Sequence, residues 1–173
     1  MKNPSTIKNK ALDEAYEYFD KKIRSLPKSK NGKVNPTAFG LEDNDVDAFR
    51  HAYVSGVFTQ EFSELTADIL GQAQEMDLFD YYSNSHNSGA KNMDLWNNSI
   101  GRKYGEKTSS RKELLKKIHQ ALKKGELIIT PDDSRKYKGK KLSKKAISKV
   151  IVVLQEDKNG RNKIFYDPRK NIV

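Results

Sequence analysis

The stretch DNDVDAFRHAYVSG, Asp43–Gly56, decides the fold, because its large and small residues alternate at helical spacing. On a helix that turns about 100° per residue, one apolar face contains Val46, Phe49, Tyr53 and Val57. Most of the opposite side is built from Ala, Ser, Gly and Thr. Large apolar residues over one half and small residues over the rest are typical of a central, closely packed helix. We predict a helix from about Asp45 to Thr59, with Asp43 or Asp45 as its N-cap.

Three ionisable residues lie within the apolar half of this helix, namely Asp47, Arg50 and His51. A guanidinium always carries its charge, so an inward Arg50 needs a carboxylate or other polar partners. Spacings of three and four residues allow all three side chains to touch. Two interpretations remain open. Either the group is a buried salt-bridge cluster that only fixes helix packing, or His51 is a general base that Asp47 orients.

A second string, MDLWNNSIGRKYG (Met93–Gly105), shows the same combination, and we predict a helix from about Met93 to Tyr104. Asp94, Asn97 and Asn98 lie on it beside apolar residues, where polar groups must be hydrogen-bonded. Gly101 would allow another backbone or a ligand to approach closely. We infer that the two polar stripes face each other. Asp94 would then meet Arg50 or His51, and the two amides would hold backbone groups or a substrate oxygen.

Together the two strings resemble a poorly characterised bacterial domain family with a D-A-x-R-H element followed by M-D-x-x-N-N-x-x-G-R. Members of that kind are small exported proteins and C-terminal toxin-like modules of larger secreted polypeptides. The resemblance covers about residues 41–105 and selects seven positions of this chain: Asp47, Arg50, His51, Asp94, Asn97, Asn98 and Arg102. The family pattern also has a His-Glu pair and a further His, where this chain has Gln74-Glu75 and Trp96.

Three further helices complete the predicted body. They cover residues 8–26, about Gln60 to Tyr81, and about Arg111 to Lys124 after a capping box of Ser110 and Glu113. The carboxylates of the helix at Gln60–Tyr81 share one side, which is typical of a solvated face. Asp68 or Glu75 would reach a site only if that side borders a cleft.

Beyond residue 124 the pattern changes to short β-like runs at Leu127–Thr130 and Val150–Leu154, with Lys163–Tyr166 as a hairpin partner. An isolated hairpin is rarely stable, so this element should pack on the helices. The predicted fold is therefore mainly α. A five-helix body spans residues 1–124, and a basic tail, residues 125–173, carries a small C-terminal β element as an α+β appendage.

Charge divides the 173-residue chain into three parts with a total of +10. Residues 1–40 carry +5, residues 41–102 carry −8 and residues 103–173 carry +13. Such basic arms favour anionic partners, either nucleic acid or a cell-envelope polymer. The lack of cysteine excludes disulfides and any Cys-based zinc site or nucleophile.

The sequence shows no transmembrane run and no Sec-type signal peptide. We expect a protein that is cytoplasmic as synthesised, with export by a signal-independent route as the alternative.

The leading functional hypothesis is a bacterial or phage effector, a toxin-like hydrolase that acts on an anionic substrate, with phosphodiester cleavage favoured. His51 would be the general base, oriented by Asp47, and Arg50 and Arg102 would balance substrate charge. Asp94, Asn97 and Asn98 would shape the site or hold a cation. Partners would be the anionic substrate and a cognate inhibitor protein.

Two alternative functions and one cation site stay open at this point. One is a cell-envelope hydrolase acting on peptidoglycan or a lipid-linked substrate. Another is a non-catalytic basic module that binds nucleic acid or a partner protein through its Lys-rich tail. A divalent cation, Mg²⁺ or Ca²⁺, could also be held by Asp43, Asp45 and Asp47. His86 and His119 are predicted to be surface residues.

Overall fold

The computed structural model describes residues 4–62, 67–68 and 88–139, and this part of the chain is mainly helical, as predicted. Its four helices are α1 (Pro4–Lys22), α2 (Asp45–Glu61), α3 (Ser88–Glu106) and α4 (Arg111–Lys123). Among these described residues, no helix is both long and apolar enough to cross a membrane.

Two of the predicted elements fall largely outside the described residues. Of the helix predicted at about Gln60–Tyr81, Gln60 and Glu61 belong to α2, and Ala67 and Asp68 are helical. The strand predicted at Leu127–Thr130 is wrong, since this stretch has irregular backbone. The other predicted strands, Val150–Leu154 and Lys163–Tyr166, lie outside the described residues.

α1 begins and ends four residues earlier than predicted, and two side-chain contacts account for where it ends. Asp20 Oδ1 accepts a hydrogen bond from the Leu26 N–H at 2.9 Å, and this bond draws the chain off the helical path before Pro27. Arg24 forms a two-pronged ion pair with Asp45, with its Nη2 2.6 Å from Oδ1. The end of α1 is thereby tied to the start of α2.

The N-cap of α2 is Asn44, and the prediction of Asp43 or Asp45 is wrong. The Asn44 side chain accepts hydrogen bonds from the backbone N–H groups of Val46 and Asp47, as a cap residue does. Asp45 instead pairs with Arg24, and Asp43 adopts a left-handed conformation with φ of 54°. Asp43 therefore turns the chain, Asn44 caps α2, and Asp45 binds Arg24.

α2 is the central helix, as predicted, and eleven of its 17 residues are buried. Phe49 stacks on Tyr18 of α1 at 5.8 Å between ring centroids and meets Phe19 edge-on at 5.5 Å. From α4, Leu114 and Ile118 are fully buried in the same core. Aromatic contacts of this kind add stability beyond the apolar area that they bury.

A buried polar network also joins α1, α2 and α4. The Tyr53 hydroxyl donates to Glu14 at 2.7 Å, and Arg111 binds both Glu14 and Glu61 at 3.0 Å. Burial and the hydrogen bond to Glu14 raise the pKa of Tyr53 above its usual range, so the hydroxyl keeps its proton. Each charge in this network has a partner of opposite sign, which limits the cost of burying it.

α2 and α3 touch through their backbones. A Cβ at Gly101 would overlap the carbonyl oxygen of Ala52, and one at Gly105 would lie 2.5 Å from the carbonyl oxygen of Gly56. The predicted close approach at Gly101 is confirmed. α3 also begins earlier than predicted, at Ser88 and not at about Met93.

Gly125 ends α4 and turns the chain back along α3. It has a φ of 69°, its N–H binds the Leu122 carbonyl at 3.1 Å, and the Glu126 N–H binds the Ala121 carbonyl at 2.9 Å. This pair of bonds is a Schellman motif, for which glycine is the preferred residue. The predicted capping residue Ser110 is confirmed at the other end, where its Oγ accepts from the Glu113 N–H.

Gly101→Ala should destabilise the fold, because the added methyl group pushes α3 away from Ala52. We expect a net loss of about 2 kcal/mol or more, since overpacking outweighs the roughly 1 kcal/mol of helix propensity that alanine gains. Urea unfolding measures the loss. Lys91→Ala, at an exposed position of the same helix, should change stability by less than about 0.5 kcal/mol. Equal effects of the two changes would show that the helices do not meet at Gly101.

Candidate functional site

The two predicted polar stripes meet between α2 and α3. His51 Nε2 lies 3.4 Å from Asp47 Oδ1 on its own helix and 3.3 Å from Asp94 Oδ1 on α3. Arg50 forms an ion pair with Asp47 and places its Nη2 3.2 Å from the same His51 nitrogen. Asn98, one turn beyond Asp94, hydrogen-bonds His51. We call Asp47, His51 and Asp94 the acidic–histidine cluster.

The cluster is mostly shielded from water. The exposed fractions of the side chains are 6% for Asp47, 17% for His51 and 19% for Asp94. Charges act more strongly on one another in such a place than at an open surface. Two cations, Arg50 and Lys8, act on His51 at this place.

His51 is held in its neutral form. Burial lowers its pKa to about 4, against the opposing effect of Asp47, and the charge of Arg50 lowers it further. Near neutral pH the imidazole thus retains an unprotonated ring nitrogen. A group with so low a pKa is a good lone-pair donor to a cation and a weak general base, since general bases work best near the operating pH.

Two contacts that the sequence did not predict orient the cluster. The Asp43 N–H donates to Asp47 Oδ2 at 2.9 Å, which leaves Oδ1 to face His51. Arg50 Nη1 donates to the Tyr16 hydroxyl of α1 at 3.4 Å. The left-handed Asp43 is the local cause of the first contact, and aspartate tolerates this conformation better than most residues.

Asn97 faces away from the cluster toward the chain that follows α4. It is fully buried; its Nδ2 donates to the Ile128 carbonyl at 2.8 Å, and its Oδ1 accepts from the Ile128 N–H at 2.9 Å. Both ends of the amide thus bind one backbone residue. Of the two uses predicted for Asn97, the structure displays the holding of backbone groups.

Arg102 continues the stripe of Asp94 and Asn98, two turns or about 12 Å beyond Asp94 along α3. It is buried, its Nη2 lies 2.8 Å from Asp68 Oδ1, and it donates to the Tyr137 hydroxyl at 3.3 Å. The periodicity predicted that Asp68 lies on a solvated face, whereas in the structure it pairs with the buried Arg102. The charge of Arg102 is already paired with a carboxylate.

Trp96, one of the positions at which the chain departs from the expected motif, lies on another side of α3. Its Nε1 donates to the Glu126 carbonyl at 2.8 Å, and the Arg135 guanidinium stacks over its ring at 5.4 Å. These contacts fix the segment after α4, so this departure leaves the acidic–histidine cluster intact. The other departure, Gln74-Glu75, lies outside the described residues.

Among the described residues, the acidic–histidine cluster is the group of potential metal ligands that the structure brings together, with its ligand atoms within 4.8 Å of one another. The cation site suggested at Asp43, Asp45 and Asp47 does not form, and Asp45 is engaged by Arg24. His119 is not a free surface residue, since its Nδ1 lies 3.2 Å from the Tyr18 hydroxyl. His86 lies outside the described residues.

Both motif strings lie inside the part of the chain that a family model matches, residues 5–126. The chain belongs to the family described as Domain of unknown function (DUF6973). No curated protein and no solved structure matches the chain. The family region contains all seven residues singled out from the sequence, whereas Ile128 and Tyr137, which contact two of them, follow it. Because the family has no known function, the reaction has to be argued from the geometry.

Asn97→Ala should be strongly destabilising, because it leaves the N–H and C=O groups of Ile128 buried without partners. We expect a loss of about 2–4 kcal/mol in urea unfolding, together with faster tryptic cleavage after Lys136. Asn92→Ala is the matched control. Asn92 also binds backbone of this segment, at Arg135 and Tyr137, but it is only partly buried. Its loss should cost about 1 kcal/mol, since water can replace it. If both variants lost the same stability, Asn97 would not be the main anchor.

Proposed function

We propose that the protein is a hydrolase that cleaves an anionic substrate at the acidic–histidine cluster, with a phosphodiester as the favoured bond. One observation carries the proposal, namely the Nε2 atom of His51 within 3.4 Å of two carboxylate oxygens from different helices. Packing alone does not require two partly buried carboxylates to converge on one imidazole nitrogen. Such convergence is common where enzymes perturb titratable groups.

The chemistry of phosphodiester hydrolysis matches what the cluster offers. The oxygen of a water molecule attacks phosphorus and the water gives a proton to a carboxylate of the cluster. The bond from phosphorus to the leaving oxygen breaks, and that oxygen takes up a proton, so that a phosphomonoester and an alcohol are formed. The cluster presents three atoms able to bind or deprotonate a water at one place. The Arg50 guanidinium beside them would offset negative charge on the phosphate, a role for which its planar fork is suited.

The surface of α4 supports a polyanionic substrate. Its outward side carries five exposed lysines, which are Lys112, Lys116, Lys117, Lys123 and Lys124. Lysines in this number attract a phosphate backbone without reading its sequence. We therefore favour a nucleic acid over a small neutral compound.

The remaining predicted residues take supporting roles in this proposal. Asn98 orients His51 through their hydrogen bond, and Asn97 holds the segment after α4. Arg102 adds positive charge along the same stripe once substrate competes with Asp68 for it. We also propose that the protein acts as a bacterial or phage effector with a cognate inhibitor, in line with the toxin-like modules that its two motif strings resemble.

His51→Ala and Asp94→Ala should each reduce kcat/KM by about 100-fold or more, because removal of one catalytic group typically costs that much. The assay would use bis(p-nitrophenyl) phosphate, followed by single- and double-stranded DNA and RNA. His119→Ala is the matched control, since it removes a histidine that contacts Tyr18 and lies outside the cluster. Circular dichroism would verify the fold of each variant. Full activity in both cluster variants would refute the assignment.

A non-catalytic basic binding module is the second candidate, and the lysines of α4 are the observation that favours it. Under that function, nucleic acid would bind with steep salt dependence and the His51→Ala variant would bind it equally well, with no turnover in any variant.

Expression in bacteria separates a hydrolase of nucleic acid from a hydrolase of the cell envelope. A nuclease should be toxic in the cytoplasm, whereas a cell-envelope enzyme should be toxic only when it is directed to the periplasm.

A further inference from the structure

The three potential ligand atoms of the acidic–histidine cluster come from two helices and lie close together. They are Asp47 Oδ1, His51 Nε2 and Asp94 Oδ1, all within 4.8 Å of one another. We infer that these atoms bind one divalent transition-metal ion, of the Mn²⁺ or Zn²⁺ type. This inference deepens the proposed function, because it concerns the same site and names the cofactor through which that site would act.

Two of the three distances between the ligand atoms fit a shared ion, and the third is no more than 4.8 Å. Nitrogen and carboxylate ligands lie about 2.0–2.2 Å from such a metal, so neighbouring ligands around it are about 3.0–3.5 Å apart. His51 Nε2 is 3.4 Å from Asp47 Oδ1 and 3.3 Å from Asp94 Oδ1. Both separations lie inside that range.

A hydrogen bond at His51 Nε2 serves only one of its polar neighbours at a time. An N–H at Nε2 could point at only one of the two carboxylates, and it would oppose the N–H of Arg50, whose Nη2 is 3.2 Å away. Without that hydrogen, the nitrogen lone pair faces two anionic oxygens, and this is favourable only when a positive charge lies between them. In the structure Arg50 supplies that charge from one side. An ion at the centre would serve all three atoms.

The ligand set indicates the type of metal. One imidazole with two carboxylates suits Mn²⁺, Zn²⁺ or Fe²⁺ better than Ca²⁺, which takes oxygen ligands alone. Three protein ligands leave coordination positions open for water and a phosphate oxygen, as in catalytic sites. The Asp43 N–H and the Asn98 side chain hold two of the ligands in orientation. A bound metal would lower the pKa of its water and so supply the nucleophile for hydrolysis.

Arg50 provides an internal test of this inference. Its guanidinium binds Asp47 and approaches His51, so it occupies the region that an incoming ion needs. Like charges at this distance repel strongly where water is largely excluded. Metal binding should therefore displace Arg50, and removal of its charge should strengthen metal binding.

The experiment is isothermal titration calorimetry of Mn²⁺ into the full chain after treatment with a chelator and removal of that chelator. We expect one Mn²⁺ per chain. Asp94→Asn and His51→Gln, which keep the side-chain shape, should each weaken binding about 30-fold or more. Arg50→Gln should strengthen it about tenfold or more, which is about 1.4 kcal/mol. Asp45→Asn removes a carboxylate of the same helix that pairs with Arg24, and it should alter affinity less than about threefold.

Wild-type affinity in folded Asp94→Asn or His51→Gln would overturn the inference, as would weaker binding in Arg50→Gln. Equal weakening by Asp45→Asn would also overturn it, because Mn²⁺ would then respond only to overall charge. The titration is independent of turnover. Mn²⁺ binding without hydrolysis would leave the metal site standing and refute the hydrolase. Hydrolysis that persists in excess chelator, with no Mn²⁺ bound, would refute the metal site and leave the hydrolase standing.

Discussion

The contact between the α2 and α3 backbones at Ala52 and Gly101 is the constraint on which the rest of the arrangement depends. His51 directly precedes Ala52 in α2. Asp94 precedes Gly101 by seven residues, or about two turns, and so lies on nearly the same side of α3. Because no side chain separates the helices at Gly101, the short reach of an aspartate is sufficient to place Asp94 Oδ1 3.3 Å from His51. Helices spaced by larger residues would leave the two groups apart.

α3 distributes its polar residues between two tasks. Asp94 and Asn98 face α2 and contact His51, whereas Trp96 and Asn97 face the chain after α4 and bind its backbone. The same helix therefore positions the candidate site and anchors the segment that follows the family region. This division explains how adjacent residues of one motif, Asn97 and Asn98, can have different functions.

The helical periodicity of the sequence was sufficient to predict the structural features that belong to a single helix. It identified α2 as the central helix, placed polar residues beside apolar faces on α2 and α3, and marked Gly101 for close approach. It failed where partners come from distant parts of the chain. Asn97 binds Ile128 and Arg102 binds Asp68, and neither pairing has a local signal. The apolar run at Leu127–Thr130 resembled a strand, but Ile128 binds the Asn97 side chain of α3 and the Leu127 carbonyl accepts from Arg135. The N-cap was misassigned because three residues in a row, Asp43, Asn44 and Asp45, all suit that position.

The most direct test of the account is a crystal structure of the full chain soaked in Mn²⁺, with anomalous diffraction used to locate the ion. If the three atoms share one ion, one anomalous peak should lie within about 2.3 Å of Asp47 Oδ1, His51 Nε2 and Asp94 Oδ1. The account also predicts that Arg50 has moved away from Asp47. A well-ordered site with the His51 and Asp94 side chains in contact, Arg50 in place and no peak between them would contradict it.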